Sequence, residues 1–295
     1  EELDECYIQN SAHKVTVYQS NEPKFFLFLF FTFGKTGFFD SIVNRVSIAH
    51  LTQDKLINIG VPLPPLSEQT RIAEFLDRKT AQIDQAIAQK ERLIELLNER
   101  RQVMIHQAVT RGLDPNVPMK DSGIEWIGEI PAHWKVSRLK YSIDLLSGFA
   151  FKSSQYSNNP NDVKLLRGVN INPGAINWNE TVYWPSESFA QFKEYSLQEK
   201  DLVIGMDRPW VSTGMRIAEI QREDLPCLLL QRTARIKGNN KASTPYIKLL
   251  LSTQGFIEYF EPILSGVSVP HISPDQIGNF ICAIPPLEGQ VEICR

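Results

Sequence analysis

Few residues of this chain are spaced for catalysis, and each candidate lacks a neighbour that its chemistry requires. Gly34-Lys35-Thr36 matches the end of a phosphate-binding loop, whose backbone N–H groups cradle a nucleotide while the lysine reaches the outer phosphates. That loop needs glycine five residues before Gly34, and the position holds Leu29. Asp275 has the chemistry of a nuclease carboxylate, but no Glu-x-Lys follows it on a strand pattern. The five histidines make no ligand cluster with Cys, Asp or Glu. No glycine-rich turn follows a strand, and no Asn-Pro-Pro-aromatic run offers an adenine methyltransferase site. No catalytic residue and no metal or cofactor site is expected in this chain.

The elements that would position functional residues occur twice. Val46-Ser47-Ile48-Ala49-His50-Leu51 and Val267-Ser268-Val269-Pro270-His271-Ile272 lie 221 residues apart. At the same offset Asp54 faces Asp275, Asn58 faces Asn279, Pro64-Pro65-Leu66 faces Pro285-Pro286-Leu287, and Gln69 faces Gln290. Upstream, Thr32, Gly34 and Phe39 meet Thr253, Gly255 and Phe260. A solenoid array has units of about 20–50 residues, so this longer period means one domain type used twice. The pairing reads Asp275 as a helix anchor, and His50 and His271 as structural hinges. The first copy is short of residues before its Pro-Pro-Leu, and the chain is read as a central portion of a larger two-repeat protein.

Net charge is −3, so no gross basic surface announces a nucleic-acid partner, although the local field of a groove matters more than the total. The 42% hydrophobic content suits globular cores. Cys6, Cys227, Cys282 and Cys294 are scattered without paired metal spacing, as expected of a reduced, cytoplasmic chain. Phe25-Phe26-Leu27-Phe28-Leu29-Phe30-Phe31 is too short for a membrane span, which needs roughly 20 apolar residues. It is expected to be a buried helix. No export signal precedes it, and no membrane partner is expected.

From Ser67 to Thr110 there is neither Pro nor Gly, and apolar residues recur at Ile72, Leu76, Ile83, Ile87, Ile94, Leu97, Met104 and Ala108. Phe75, Leu93 and Ile105 widen that stripe, and Lys79, Lys90 and Arg101 fall in phase with it. Spacings of three and four predict one long helix with a single apolar seam. Ser67 is the expected N-cap and Gly112 the expected C-cap. At 1.5 Å per residue the rod is roughly 65 Å long. Its seam must be buried on another helix, so self-association through the exposed stripe is expected.

Leu113 to Pro118 reads as a linker, and Met119 to Leu287 as a mixed α/β domain with a strongly twisted sheet. Strands are expected at Val163–Val169, Asp201–Gly205, Arg216–Ile220 and Leu228–Ile236, and helices at Pro185–Lys193, Thr244–Phe260 and Pro274–Asn279. Asn172-Pro173-Gly174 and Asp207-Arg208-Pro209 are turn signals. The division is 1–66, end of a first domain; 67–111, the long helix; 112–287, a second domain; and 288–295, the start of a second helix.

Several of these runs together resemble the specificity subunits of Type I restriction-modification systems. Pro64-Pro65-Leu66-Ser67-Glu68-Gln69 with Ile72-Ala73-Glu74-Phe75-Leu76-Asp77 is similar to the opening of that family's conserved helix. Leu96 to Arg101 and Ala108 to Pro115 resemble its continuation. Met119 to Trp134 is similar to the start of the second recognition domain, and Gly266 to Ser273 to its exit. The resemblance implies two target-recognition domains, each reading half of a bipartite sequence in double-stranded DNA. It implies an antiparallel coiled coil that sets their separation and docks methyltransferase (modification) subunits. Those subunits would carry S-adenosylmethionine, and restriction subunits would use ATP and Mg. The specificity subunit itself would be non-catalytic. The short first domain, the helix ending at Arg295, and Gly289 in place of Glu68 depart from the pattern. They leave a fragment, a half-subunit or an inactive remnant as alternatives, beside a coiled-coil scaffold that binds no DNA.

If the domain reads DNA, it must anchor phosphates and then read base edges with Arg, Lys, Asn, Gln or Ser. Three segments have that chemistry. Gly148 to Tyr156 offers Lys152, Ser153 and Gln155; Arg167 to Asn172 offers Arg167, Asn170 and Asn172; Met206 to Arg216 offers Arg208, Trp210, Ser212 and Arg216. Solvated loops with internally paired charges are the alternative for each. Gln231-Arg232 is read equally as a salt bridge or a DNA contact. Acidic and basic residues nearly balance here, so much of the salt-sensitive affinity would come from the modification subunits.

Overall fold

In the computed structural model, residues 12–43, 51–211, 214–264 and 270–295 are described, and the chain divides into two units, Glu1–Leu96 and Leu97–Arg295. Cys6, most of the first repeat motif (Val46 to His50) and the stretch Gly266 to Val269 of the second lie outside the described residues.

Helices build the first unit. Helix α1 (Pro23–Lys35) opens with Pro23 in its first turn and with the Glu22 side chain accepting from the Lys24 N–H. Helix α2 (Phe38–Ile42) turns back, and the rings of Phe30, Phe33, Phe38 and Phe39 meet at 4.6–6.4 Å. Helix α3 (Gln53–Ile57) follows, and then α4 (Leu66–Arg111), a single helix of 46 residues. The phenylalanine-rich run is helical, but it is not the buried helix expected. Phe25 is buried, while Leu27 and Phe31 remain 64% and 62% exposed. No strand occurs among the described residues before Met119. No helix among the described residues is long and apolar enough to cross a membrane.

Helix α4 runs one residue further at each end than the stretch Ser67 to Thr110 that lacks Pro and Gly. The Pro65 carbonyl accepts from the N–H groups of Glu68 and Gln69, so the helix starts at Leu66 and Ser67 lies inside its first turn instead of capping it. Gly112 ends it with φ +74°, a left-handed conformation that glycine adopts without strain.

The second unit begins with the last turns of α4. A hairpin of β1 (Met119–Asp121) and β2 (Glu129–Pro131) follows, then β3 (Lys135–Arg138), β4 (Ile143–Ser147) and β5 (Val163–Leu166). Next come the small hairpin β6 (Ile171–Asn172) and β7 (Ala175–Ile176), then β8 (Val182–Trp184) and β9 (Leu202–Gly205). A second small hairpin pairs β10 (Trp210–Val211) with β11 (Gly214–Met215), leading to β12 (Ile217–Glu219), β13 (Cys227–Leu229) and β14 (Thr233–Gly238). Helices α5 (Thr244–Leu251), α6 (Gln254–Leu264) and α7 (Pro274–Asn279), strand β15 (Ile281–Ile284) and helix α8 (Leu287–Ile293) complete it.

The principal sheet has the antiparallel order β12-β9-β14-β4, and a mixed sheet, β13-β5-β8, accompanies it. Alternation along β9 explains why all four of its residues are buried. Leu202 and Ile204 join Ile217, Ala234 and Ile236 against Tyr246, Ile247, Leu250, Phe256 and Phe260 of the helices. Val203 and Ala218 face the other way, onto Leu166, Ile171, Cys227 and Leu229. Val109 of α4 enters the helix-side core, where the Tyr246 hydroxyl donates to the Ala283 carbonyl at 2.9 Å. The mixed α/β class and the long helix are therefore present.

Three expected elements differ in detail. Thr244–Phe260 is two helices, because Ser252 ends α5 and the Thr253 hydroxyl accepts from Phe256 N to start α6. Leu228–Ile236 is two strands in different sheets, separated where Arg232 takes φ +65°. Pro185–Lys193 is a 3-10 stretch, Ser186–Tyr195, kinked at Phe192.

Candidate nucleic-acid interface

The strand register brings the three polar segments to one end of the second unit. Ser147 pairs with Ala234, Gly205 with Thr233, and Ile204 with Ile217, so the chain leaves β4 and β9 where it enters β14 and β12. Leu166 and Leu229 are partners in the parallel pair and leave together. Cross-links hold these exits: Gly148 N–H donates to Thr233 O at 2.9 Å, and Met206 N–H to Arg232 O at 2.9 Å. Leu230 N–H donates to Leu166 O at 3.2 Å.

Within the first segment, Lys152, Ser153 and Gln155 are exposed on a single 3-10 turn, Ser153–Gln155. Phe151 anchors that turn beneath the rings of Trp184 and Phe192, at 4.7 and 4.9 Å between centroids. All three polar side chains are placed for an external partner.

The second segment is mostly structural. Asn170 is fully buried; its amide accepts from Arg167 N–H at 3.0 Å and donates to the Asn177 carbonyl at 2.9 Å. It cannot reach a base, which corrects its assignment as a reading residue. Asn170→Ala is expected to strand those buried partners and lower stability by about 1–3 kcal/mol. Denaturant titration of the full chain measures this. Arg167 is half-buried, donates to the Glu180 carbonyl, and lies 3.6 Å from that residue's carboxylate. Asn172 remains half-exposed at the β6–β7 turn, where Gly174 supplies φ +81°.

In the third segment Arg216 is half-buried and turns partly inward. Two of its guanidinium nitrogens bond protein carbonyls: Nε donates to Arg208 O at 3.1 Å, and Nη1 to Gly168 O and Ile171 O at 3.2 and 3.1 Å. Arg216 therefore ties the second and third segments together. Trp210 is half-buried against the core. Ser212 lies outside the described residues.

Arg208 differs from all of these. Its side chain is exposed, and its φ of +44° is rare for a residue with a side chain, costing of order 1–3 kcal/mol. Its N–H donates to Pro270 O at 2.7 Å, and its carbonyl receives Arg216. The preceding Asp207 is clamped on both sides. Arg232 Nη1 lies 2.8 Å from one carboxylate oxygen, and His271 Nδ1 2.6 Å from the other. Arg232 thus has the salt bridge, while its side chain remains 61% exposed. The knot of Asp207, Arg232 and His271 joins residues far apart in sequence, so composition alone could not assemble it. The recurrence of histidine at position 271 in the repeat was its only signal.

Elsewhere the enzyme-like features dissolve. Gly34-Lys35-Thr36 lies at the C-terminal end of α1, where the dipole repels phosphate. Asp275 sits in the first turn of α7 as a helix anchor, beside the capping box of Ser273 and Gln276. Burial pushes the Cys227 and Cys282 thiols up to about 12, far from thiolate chemistry at neutral pH. No metal-ligating cluster occurs among the described residues.

The stripe on α4 stands open. Ile83, Ile87, Ile94, Leu97 and Met104 are 50–59% exposed, whereas Ile72 and Leu76 are half-buried near the helix start.

Residues 3–96 match the family model of the type I restriction modification DNA specificity domain. The chain is 30% identical to the type I restriction enzyme MjaVIII specificity subunit of Methanocaldococcus jannaschii, over 95% of its own length and 64% of that protein. It is 33% identical to the EcoAI specificity subunit of Escherichia coli, over 68% of its own length and 33% of that protein. It therefore spans less than two thirds of either relative. Its fold is similar to a chain in a solved structure of the type I R-M system, with a TM-score of 0.65 at 20% identity, covering 94% of this chain and 62% of that one. The chain belongs to the family of type I restriction-modification specificity subunits.

Proposed function

We propose that this chain is a DNA sequence-specificity component that reads a half-site through residues 112–287 and docks methyltransferase subunits along α4. The carrying observation is the convergence of the three polar segments on one end of the sheet, with Arg208 held exposed in a left-handed backbone. A side chain presented on a constrained backbone loses little entropy on binding, which favours specific contact over a solvated loop. In this reading Arg208, Lys152, Ser153, Gln155 and Asn172 meet DNA, while Arg216, Asn170 and the Asp207 knot shape the loops behind them.

The chain itself performs no chemistry in this reading. S-adenosylmethionine would be bound by the methyltransferase subunits, and ATP and Mg by restriction subunits. The stripe from Ile72 to Met104 would receive a helix, from a second copy of the chain or from a partner.

Co-expression with the cognate methyltransferase subunit, followed by methylome sequencing of the host, tests the proposal. A new methyladenine motif is expected. A stable complex without any motif would leave a docking scaffold, and no complex would remove both roles. On a duplex carrying that motif, Arg208→Ala in the assembled complex is expected to weaken binding by about 1–3 kcal/mol if the arginine reads a base bidentately. Fluorescence anisotropy at fixed salt measures it, and unchanged affinity would remove Arg208 from the interface.

A further inference from the structure

The two repeats share a buried glutamine that makes two equivalent hydrogen bonds in both. Gln69 is 1% exposed and Gln290 is fully buried. The Gln69 carbonyl accepts from the Glu22 N–H at 3.0 Å, and the Gln290 carbonyl from the Ser243 N–H at 2.8 Å. Both amides then donate to the first proline of the Pro-Pro-Leu motif, Pro64 O and Pro285 O, each at 2.8 Å. The second amide hydrogen goes to Asn21 Oδ1 at 3.0 Å in one copy and Lys241 O at 2.8 Å in the other. Every donor of each amide is used.

The acceptor side of this lock is specific. Glu22 and Ser243 are the N-caps of α1 and α5. The N–H of an N-cap is ordinarily satisfied by Glu or Gln three residues on, in a capping box. Those positions hold Phe25 and Tyr246, which cannot serve. A glutamine from another helix supplies the missing acceptor, and thereby pins the start of one helix to the start of a second. The prolines on its other side have fixed φ and no N–H, so the approach to α4 and to α8 is stiff.

We infer that Gln69 and Gln290 are positioning residues, joints that set the direction in which α4 and α8 leave the helices packed beside them. From Gln69 to Leu96 the helix rises about 40 Å. A tilt of about 5° at the joint displaces Leu96 by roughly 3.5 Å, about one base-pair rise of DNA. The consequence for half-site spacing rests on the specificity reading proposed above; the joint itself does not.

Nitroxides attached through an introduced ketone amino acid at Thr36 and Glu91, both exposed in the first unit, avoid the native cysteines. Pulsed electron–electron resonance on the full chain is expected to give one narrow distance distribution. Gln69→Met, similar in volume but without hydrogen bonds, is expected to broaden it at least about twofold with helical content retained. Gln69→Glu supplies a second readout that general destabilisation does not mimic. When protonated, near pH 4, the carboxyl still accepts from the Glu22 N–H and donates its single O–H to the Pro64 carbonyl, giving the narrower distribution; ionised, near pH 8, it faces the Pro64 carbonyl with negative charge and the distribution broadens. If the Met variant does not fold, the pH comparison decides. Distributions that stay narrow in the folded Met variant, or Glu-variant widths independent of pH, overturn the joint. Neither result bears on whether the chain reads DNA.

Discussion

Ile83→Glu with Ile94→Glu is expected to abolish self-association of the chain while leaving it folded. The two isoleucines are 58% and 59% exposed on α4, with Ile87 at 50% between them. A fully buried isoleucine contributes about 1.5–3 kcal/mol, so burying the remaining half of two on each of two helices contributes about 3–6 kcal/mol. That is at least a hundredfold in dissociation constant, before the cost of forcing glutamates into the seam. Neither side chain lies in a core, and glutamate is a good helix former, so helical content should not change. Lys79 and Lys90 share the stripe's phase, and Lys90 has no ion-pair partner among the described residues. These cations weaken a self-pair, so Lys90→Leu should tighten it. Sedimentation velocity across a concentration series reads all three chains. A parent chain that stays monomeric at every concentration would mean that the stripe serves a different polypeptide, and the methyltransferase subunit would be the next ligand to test.

Long-range regularity was legible in the sequence, and local decisions were not. Helix α4 was placed to within a residue or so at each end because a three-four period runs over its length between Pro64-Pro65 and Gly112. The repeat was legible as identities, but the physical content of the Gln69–Gln290 pair, an acceptor for another helix's N-cap, requires the fold. Asn170 and Arg216 show the limit. A polar side chain in a loop announces that it will hydrogen-bond, not whether the partner is a base or its own backbone. Both turned inward, onto Asn177 and onto Gly168 and Ile171. The split of Leu228–Ile236 depends on a left-handed arginine, for which no sequence pattern codes. Phe25 to Phe31 was correctly helical, yet its burial depended on an element elsewhere that could cover it.

Gly148→Ala is expected to be among the most damaging single-methyl changes in the second unit. A Cβ at this position would stand 2.0 Å from the Leu230 carbonyl oxygen, 2.3 Å from its carbon and 2.9 Å from Leu229 O. All three are backbone atoms at the crossing between β13 and β14, so no side chain can move aside. The approach is close because it is bonded throughout. Phe149 bridges Leu230, Phe149 N–H donates to Leu229 O at 3.0 Å, and Gln231 N–H returns to Phe149 O at 2.8 Å. Relieving the clash separates the principal sheet from the mixed one and removes these bonds together. Overpacking costs about 1–3 kcal/mol and sometimes more; with the lost bonds, about 3 kcal/mol is a lower bound here. In a unit of this size each kcal/mol moves the melting temperature by about 2–4 °C, so a fall of at least about 6 °C is expected by calorimetry. Gly168→Ala is the control, because its Cβ would meet nothing closer than Arg232 O at 3.9 Å and should leave the transition within about 2 °C. Equal melting of the two variants would mean that the strands do not cross as closely as this. A selective loss at position 148 would also detach the turn carrying Lys152, Ser153 and Gln155; under the proposed DNA-reading role, affinity should fall together with stability for Gly148→Ala, and neither should fall for Gly168→Ala.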